Sequence, residues 1–360
     1  MQRQGRKVDF TGQDIYVGID VHKNDWTVTI RTSVGEFKTF RQVADPDHLH
    51  RYLVRAFPGA TFHAVYEAGF SGFWAYDRLT ELGIETMVVH PPDIPTRDKD
   101  RRKKADRTDS RKLARHLQAG ELDPIYVPEP EHRFARDLVR SRMAAVKKQT
   151  RVKNQIHSLL DRHGVRIPAE LHPRGCWSRA LLRWLEREPF HGQPVAQRAL
   201  RTYVDEIRYW RERVKELGAE IRRLGRSEPY REVVEVLRTL PGIGTLSAVI
   251  WVVELVDVRR FRHLDQLASY VGLVPSIYQS GDKEWVGRVT RRGHPILRPL
   301  ILENTWTALR RDPYFLDLYQ SRLRRGVHSN CAIIAVAKRL LSRIRHAWLT
   351  GQPYVPGVVG

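Results

Sequence analysis

Two apolar, β-branched runs near the start of the chain each end on a carboxylate. Residues 14–20 (DIYVGID) close on Asp20 and residues 63–67 (HAVYE) close on Glu67. Runs this short and apolar read as buried strands. Trp26–Arg31 alternates as a second strand, Glu36–Phe40 is a third, and Glu85–His90 adds another after a helical stretch at Phe73–Leu82. Three strands followed by strand–helix alternation specify a layered α/β domain. A charge at the end of a buried run is costly without a partner or a metal, so Asp20 and Glu67 are the first candidates for function.

Pro91, Pro92 and Pro95 end that sheet, and the most basic stretch of the chain follows. Residues 97–115 hold ten Lys and Arg, interrupted by Asp98, Asp100, Asp106 and Asp109. A helix is expected from near Asp106 to Gln118, with Gly120 as its stop. Asp106 and Asp109, three apart, project from one face of it. The 360-residue chain carries 62 Lys and Arg against 41 Asp and Glu, a formal charge of +21. Such an excess attracts polyanions, and nucleic acid is the expected partner, with Lys103, Lys104 and Arg107 among the candidate contacts. Two cysteines, Cys176 and Cys331, support neither a disulfide framework nor a cysteine metal site. The polar N-terminus lacks a signal-peptide core, and no apolar run approaches the ~20 residues of a membrane helix. A cytoplasmic, nucleoid-associated protein with no membrane partner is expected.

A long basic helix is expected from about Glu131 to Gly164, then a turn-rich linker around a short helix at 178–187. Over 196–225, Leu200, Tyr203, Ile207, Trp210, Val214, Leu217, Ile221 and Leu224 recur at alternating steps of three and four. This is a heptad seam, suited either to a hairpin with the 131–164 helix or to a second subunit, and a dimer contact is the expectation. From Tyr230 the chain reads as compact helices, at 261–271, 295–310, 313–324 and 330–348, with a turn at Pro241–Gly244. The expected fold is α/β plus α in three parts: 1–125, a helical coiled-coil arm over 126–228, and a mostly helical 229–350.

Gathered together, Asp20, Glu67, Asp106 and Asp109 would repel unless a hard cation neutralised them. Mg²⁺ takes oxygen ligands and serves phosphate chemistry, with Mn²⁺ as a substitute. Two such ions about 3.5–4 Å apart stabilise both oxygens of a phosphodiester displacement. Taken singly, each acid has a plainer account. Asp20 opens a turn, Glu67 sits at a loop, and Asp106 serves as a helix cap.

Three segments carry a more specific signal. YVGIDVHKNDW, AVYEAGFSGFW and KADRTDSRKLARHL resemble the three blocks of the RuvC-like domain of DEDD transposases, which belong to insertion sequences and work with a bridge RNA. The resemblance implies an RNase H-like fold and assigns the metal to Asp20, Glu67, Asp106 and Asp109. The usual block, Lys-Thr-Asp-x-x-Asp-Ala, has Ala105 here in place of Thr and Ser110 in place of Ala. His22 and Lys23 follow Asp20 as in the family, with His22 read as positional or as a phosphate or proton-transfer contact.

The sequences LRTLPGIGTLSAVIWVVEL and FRHLDQLASYVGLVPSIYQSGDKEWVGRVTRRGHPILRPLI are similar to the C-terminal transposase domain of the same family. Pro241-Gly242-Ile243-Gly244 resembles a helix-hairpin-helix turn, in which the amides of Gly242 and Gly244 approach phosphate. An ordinary helix–helix turn accounts for the tetrapeptide as well. Ser280, expected in a loop before Gly281, has Lys283, Arg288, Arg291 and Arg292 near it in sequence. The resemblance implies that this serine is the nucleophile that becomes joined to DNA, with Ser276 as the rival. The resulting expectation is a recombinase of DNA ends and target, guided by a structured RNA and built as a homo-oligomer, dimer or tetramer. The alternatives are a metal-dependent nuclease resembling Holliday-junction resolvases, in which Ser280 is dispensable, and a nucleic-acid-binding protein without activity.

Overall fold

The computed structural model describes residues 9–95, 106–280, 283–289 and 293–356, with Asp106, Arg107 and residues 275–280 and 283–289 described by backbone alone. The chain forms two compact units, Met1–Val127 and Pro128–Gly360.

The first unit is built on a mixed sheet of β1 (Asp14–Val21), β2 (Asp25–Thr32), β3 (Gly35–Val43), β4 (Thr61–Glu67) and β5 (Glu85–Val89). Their order is β3-β2-β1-β4-β5. β1 and β2 pair antiparallel, as do β2 and β3, whereas β4 lies parallel to both β1 and β5. One face packs Ile15, Val17, Ile19, Val28, Ala64 and Tyr66 against Leu49 and Leu53 of α1 (Pro46–Ala56) and Leu79 of α2 (Trp74–Glu81). The other face is crossed by α3 (Asp106–Gln118), whose Leu113 packs on Val65 and Val89. Burial on both faces explains the near-continuous apolar runs of β1 and β4. The arrangement fits the RNase H-like expectation. Helix α1 is an addition to the expected elements. Asp45 caps it by accepting the Asp47 N–H at 2.9 Å, and Pro46 opens it, an arrangement favoured at helix starts.

The second unit opens with α4 (Pro130–Arg162), α5 (Arg179–Arg187) and α6 (Pro194–Leu224). Val152, Ile156 and Leu159 of α4 join Leu181 and Leu185 of α5 and Leu200, Val204 and Ile207 of α6 in one core. Ala135, Val139 and Ile221 belong to a different and larger core. The start of α4 therefore meets the end of α6, so the pair runs antiparallel. Leu200, Ile207 and Ile221 of the heptad seam are buried within the chain itself, in these two cores.

The larger core gathers α7 (Arg231–Leu237), α8 (Thr245–Leu255), α9 (Leu264–Val271), α10 (Leu297–Ala308), α11 (Pro313–Arg324) and α12 (Ser329–Thr350). Between α9 and α10 the expected loop is instead an antiparallel pair of strands, β6 (Pro275–Ser280) and β7 (Lys283–Val289), and Ser280 is the last residue of β6, paired with Lys283. The SIYQS and EWVGRV segments carry the β-branched and aromatic residues Ile277, Tyr278, Trp285, Val286 and Val289, a composition that favours strands, and two residues, Gly281 and Asp282, lie between β6 and β7 in sequence, a hairpin's length. Among the described residues no helix is long and apolar enough to cross a membrane.

Candidate active site

The register of the sheet gathers the acids of the first unit. Gly18 pairs with Val65 and Ile19 with Tyr66, so Asp20 and Glu67 stand at the same end of adjacent parallel strands. Side chains alternate across a sheet, which places Asp20 on the face of Gly18 and Glu67 on the face of Val65. That is the face α3 covers. A Cβ at Gly18 would lie 2.2 Å from Ser110 O and 2.5 Å from Ala114 N. Asp109 adjoins Ser110 on the first turns of α3, and Asp106 is the first residue of that helix. The structure thus brings Asp20, Glu67 and Asp109 to one end of one face, with the Asp106 backbone at the same helix start.

Helix α3 is pinned along its length. Ser110 is buried, and its hydroxyl lies 2.9 Å from that of Thr29 on β2. Further along, Arg31 Nε donates to Gln118 Oε1 at 2.7 Å, and Gln118 Nε2 donates to Thr32 O at 3.0 Å. Asp20 is partly open to solvent, with a side-chain exposure of 21%, and its Oδ2 lies 3.1 Å from His22 Nε2. The donors offered here are carboxylate oxygens, the hard ligands that divalent Mg²⁺ or Mn²⁺ prefers. Among the described residues no group of three or more His, Cys, Asp or Glu side chains is placed to hold a metal ion, and the Asp106 side chain is outside that description. Beside α3, Arg31, Arg111, Lys112 and Arg115 line a groove of about 330 Å³ together with Glu36 and Thr108. Lys103 and Lys104 lie outside the described residues, as do Arg291 and Arg292; for Arg107, Ser280, Lys283 and Arg288 the backbone alone is described.

In the second unit, the Pro241–Gly244 turn joins α7 to α8. Gly242 has φ +83° and packs against α10, where a Cβ would meet Asn304 O at 2.2 Å. Buried Asn304 donates from Nδ2 to Gly242 O at 2.8 Å and accepts from Trp251 Nε1 at 3.2 Å. Gly242 therefore serves close helix packing, whereas Gly244 is exposed at the start of α8.

The same unit holds a buried ionic group outside the sequence-predicted site residues. Glu254, the only charged residue of α8, has 0% exposure. It accepts from Arg140 Nε at 3.2 Å and Arg140 Nη2 at 3.1 Å, and His294 Nε2 is 3.3 Å away. Burial pushes the Glu254 carboxyl up, but the bonds from His294 and Arg140 outweigh it and hold the pKa at about 2. The available signal was a lone acid in an otherwise apolar helix.

Between α5 and α6, Arg179, Arg183, Arg208, Arg211 and Lys215 line a groove of about 650 Å³ with Leu182 and Glu212. A second, of about 520 Å³, includes Lys147, Arg151, Arg162 and Tyr203.

Comparison with known proteins finds two matching stretches, the first of which runs past Val127 through α4. Residues 17–164 match a family profile described as Transposase, of the DEDD type, and residues 234–320 match one described as Transposase IS116/IS110/IS902 family. A putative transposase, y4qE, of Sinorhizobium fredii (strain NBRC 101917 / NGR234) is 31% identical over 302 residues, covering 82% of this chain and 72% of the relative. The chain belongs to the IS116/IS110/IS902 family of transposases. It is also 26% identical over 303 residues to a transposase for insertion sequence element IS1533 of Leptospira borgpetersenii, covering 81% of this chain and 84% of the relative. The pilin gene-inverting protein of Moraxella lacunata is 26% identical over 246 residues, covering 64% and 72% respectively.

This transposase is thus an enzyme acting on DNA, and DEDD-type transposases generally use divalent metal ions. Asp20, Glu67, Asp106 and Asp109 lie in the first matched region; Gly242, Glu254, Ser280 and His294 lie in the second. Residues 165–233, with α5 and α6, fall between the two. Ser110, which departs from the usual block, is accommodated in this transposase by its hydroxyl contact with Thr29.

Proposed function

We propose that this transposase exchanges DNA strands through a phosphoserine bond at Ser280, with a divalent metal held by Asp20, Glu67, Asp106 and Asp109, and that a structured RNA selects the sites. The observation that carries the metal reading is the common face and common strand end of Asp20 and Glu67 beneath the start of α3. Mg²⁺ is the first candidate ion and Mn²⁺ the second. When bound, such an ion supplies charge neutralisation at the scissile phosphate. His22, beside Asp20, orients that carboxylate.

The serine chemistry conserves bond energy. The Ser280 hydroxyl oxygen forms a bond to phosphorus as the bond from phosphorus to the leaving deoxyribose oxygen breaks. The serine proton departs, and the leaving oxygen takes up a proton to become a free hydroxyl. A hydroxyl from the partner strand then attacks the same phosphorus, joins the new strands and returns Ser280 to its starting form. A relative named for gene inversion supports this over simple hydrolysis, because inversion needs every cut end rejoined. Backbone-directed basic surfaces suit a division of labour in which base pairing reads sequence. Three structural parts, at 1–125, 126–228 and 229–350, and assembly as a dimer or tetramer belong to the same reading.

The test is strand exchange between cognate DNAs in the presence of RNA transcribed from the flanking element. Ser280→Ala and Asp20→Asn should each abolish it while leaving nucleic-acid binding near wild type. A covalent protein–DNA adduct should form with Ser280 and be absent from Ser280→Ala. Strand exchange by Ser280→Ala would overturn the serine mechanism, and cleavage without rejoining would favour a junction-selective nuclease.

A further inference from the structure

The β6–β7 hairpin leaves the helical body after α9 and returns before α10. At that base Gly272 (φ +90°) and Gly293 come so close that a Cβ on Gly272 would lie 2.7 Å from the Gly293 Cα. The Arg298 guanidinium covers both, 2.3 Å and 2.4 Å from the positions those Cβ atoms would take. The His294 N–H donates to Tyr270 O at 3.0 Å, joining the end of α9 to the return of the chain.

The His294 ring extends this connection inward. Its Nδ1 accepts the backbone N–H groups of Ile296 and Leu297 at 3.3 and 3.2 Å. With Nδ1 accepting, the ring proton sits on Nε2, which donates to Glu254 Oε2 at 3.3 Å. Glu254 is held in turn by Arg140 of α4, while Arg136 Nη2 donates to the Glu254 backbone oxygen at 2.8 Å and Arg136 Nε to Val253 O at 3.2 Å. One buried carboxylate thus ties α4, α8 and the root of the hairpin together.

A core designed only for stability has little use for this group, because apolar residues of similar volume commonly do as well as a buried ion pair. What the ions add is direction. A two-stranded hairpin has marginal stability of its own, so its orientation is set at its root. We propose that Glu254, with Arg140, is a positioning residue that acts through His294 to fix the root of the hairpin and hence the strand end bearing Ser280. The inference rests on the reading of Ser280 as the nucleophile.

His294→Asn separates the two roles of the ring. Asparagine still offers an oxygen to the Ile296 and Leu297 amides, but it is too short to reach Glu254. In the full-length protein, amide exchange over residues 275–289 should accelerate about tenfold, with α8 and α10 within twofold of wild type. Single-turnover adduct formation at saturating DNA should slow about tenfold or more, with DNA affinity unchanged. Glu254→Gln, which keeps the side-chain shape, should repeat the pattern. Unchanged exchange in 275–289, or faster exchange spread equally over α8 and α10, would overturn the positioning role. So would a wild-type adduct rate in a protein whose Ser280→Ala counterpart forms no adduct. An adduct in Ser280→Ala would instead overturn the serine reading, and the exchange contrast would still decide whether Glu254 holds the hairpin.

Discussion

Gly18 lies directly beneath the backbone of Ser110, with no room between them for even one carbon of side chain. Helix α3 crosses β1 at the single position of that strand that lacks a Cβ. The same contact sets the spacing between the strand that carries Asp20 and the helix that carries Asp109.

Gly18→Ala should therefore displace α3. Backbone atoms cannot swing aside as a flexible side chain does, so the cost should be about 3 kcal/mol, at the upper end for an overpacked core. Thermal melting should fall, and the metal concentration needed for half-maximal activity should rise. Ser110→Ala, which loses the hydroxyl contact with Thr29 but adds no bulk beneath α3, should cost about 1 kcal/mol and leave the metal requirement unchanged. Equal effects of the two substitutions would contradict the spacing role of Gly18.

Mixing inactive proteins reads how the two half-reactions are distributed. Asp20→Asn and Ser280→Ala proteins, each inert alone, should regain strand exchange when combined if one copy supplies the acids and another the serine. With random pairing into dimers, recovery on the order of a quarter to a half of wild type is expected. Complete inactivity of the mixture would place the acids and the serine of each reaction on one chain.

Acid should weaken the second unit through Glu254. Its folded pKa of about 2 lies below its ordinary 4.5. A depressed carboxyl pKa contributes stability that is present above the unfolded value and is lost as pH falls through the folded one. The contribution, on the order of 3 kcal/mol, should disappear between about pH 4.5 and pH 2. Glu254→Gln should flatten the pH dependence of denaturant unfolding in that window. A wild-type slope in the variant would place the acid sensitivity elsewhere.

The groove between α5 and α6 should contribute to nucleic-acid binding through phosphate contacts. Arg179→Gln and Arg183→Gln, both exposed at its rim, should weaken duplex binding similarly across sequences. Each lost contact should lower the slope of log K against log salt by about 0.9. An unaltered slope in the double variant would exclude this groove from the path of the nucleic acid.

Much of the first unit was legible because its signals are local. β1 and β4 each declare themselves by an apolar run closed by an acid, and α3 by a start at Asp106 and a stop at Gly120. Their adjacency was less visible, since nothing in the order of the chain says that β4 pairs with β1 rather than β3. Helix α1 was missed although Asp45-Pro46 marks its start, because its apolar residues are few. In the second unit, Gly281 made the Ser280 segment resemble a loop, whereas the flanking β-branched and aromatic residues favour strands. Glu254 was overlooked for a different reason. Its partners Arg140 and His294 are distant in sequence, and an ion pair across three elements leaves no periodic trace.

The buried ends of the heptad seam find their partners within the same chain. Leu200 and Ile207 are enclosed with α4 and α5 at one end of the hairpin, and Ile221 with the C-terminal helices at the other. Between them Val214 and Leu217 are only partly covered. A long hairpin fastened at two ends by separate cores is held by those ends rather than by its middle. Val214 and Leu217 therefore contribute less apolar burial to the hairpin than the enclosed Leu200, Ile207 and Ile221, and truncating either should cost less stability than truncating a residue at an anchored end.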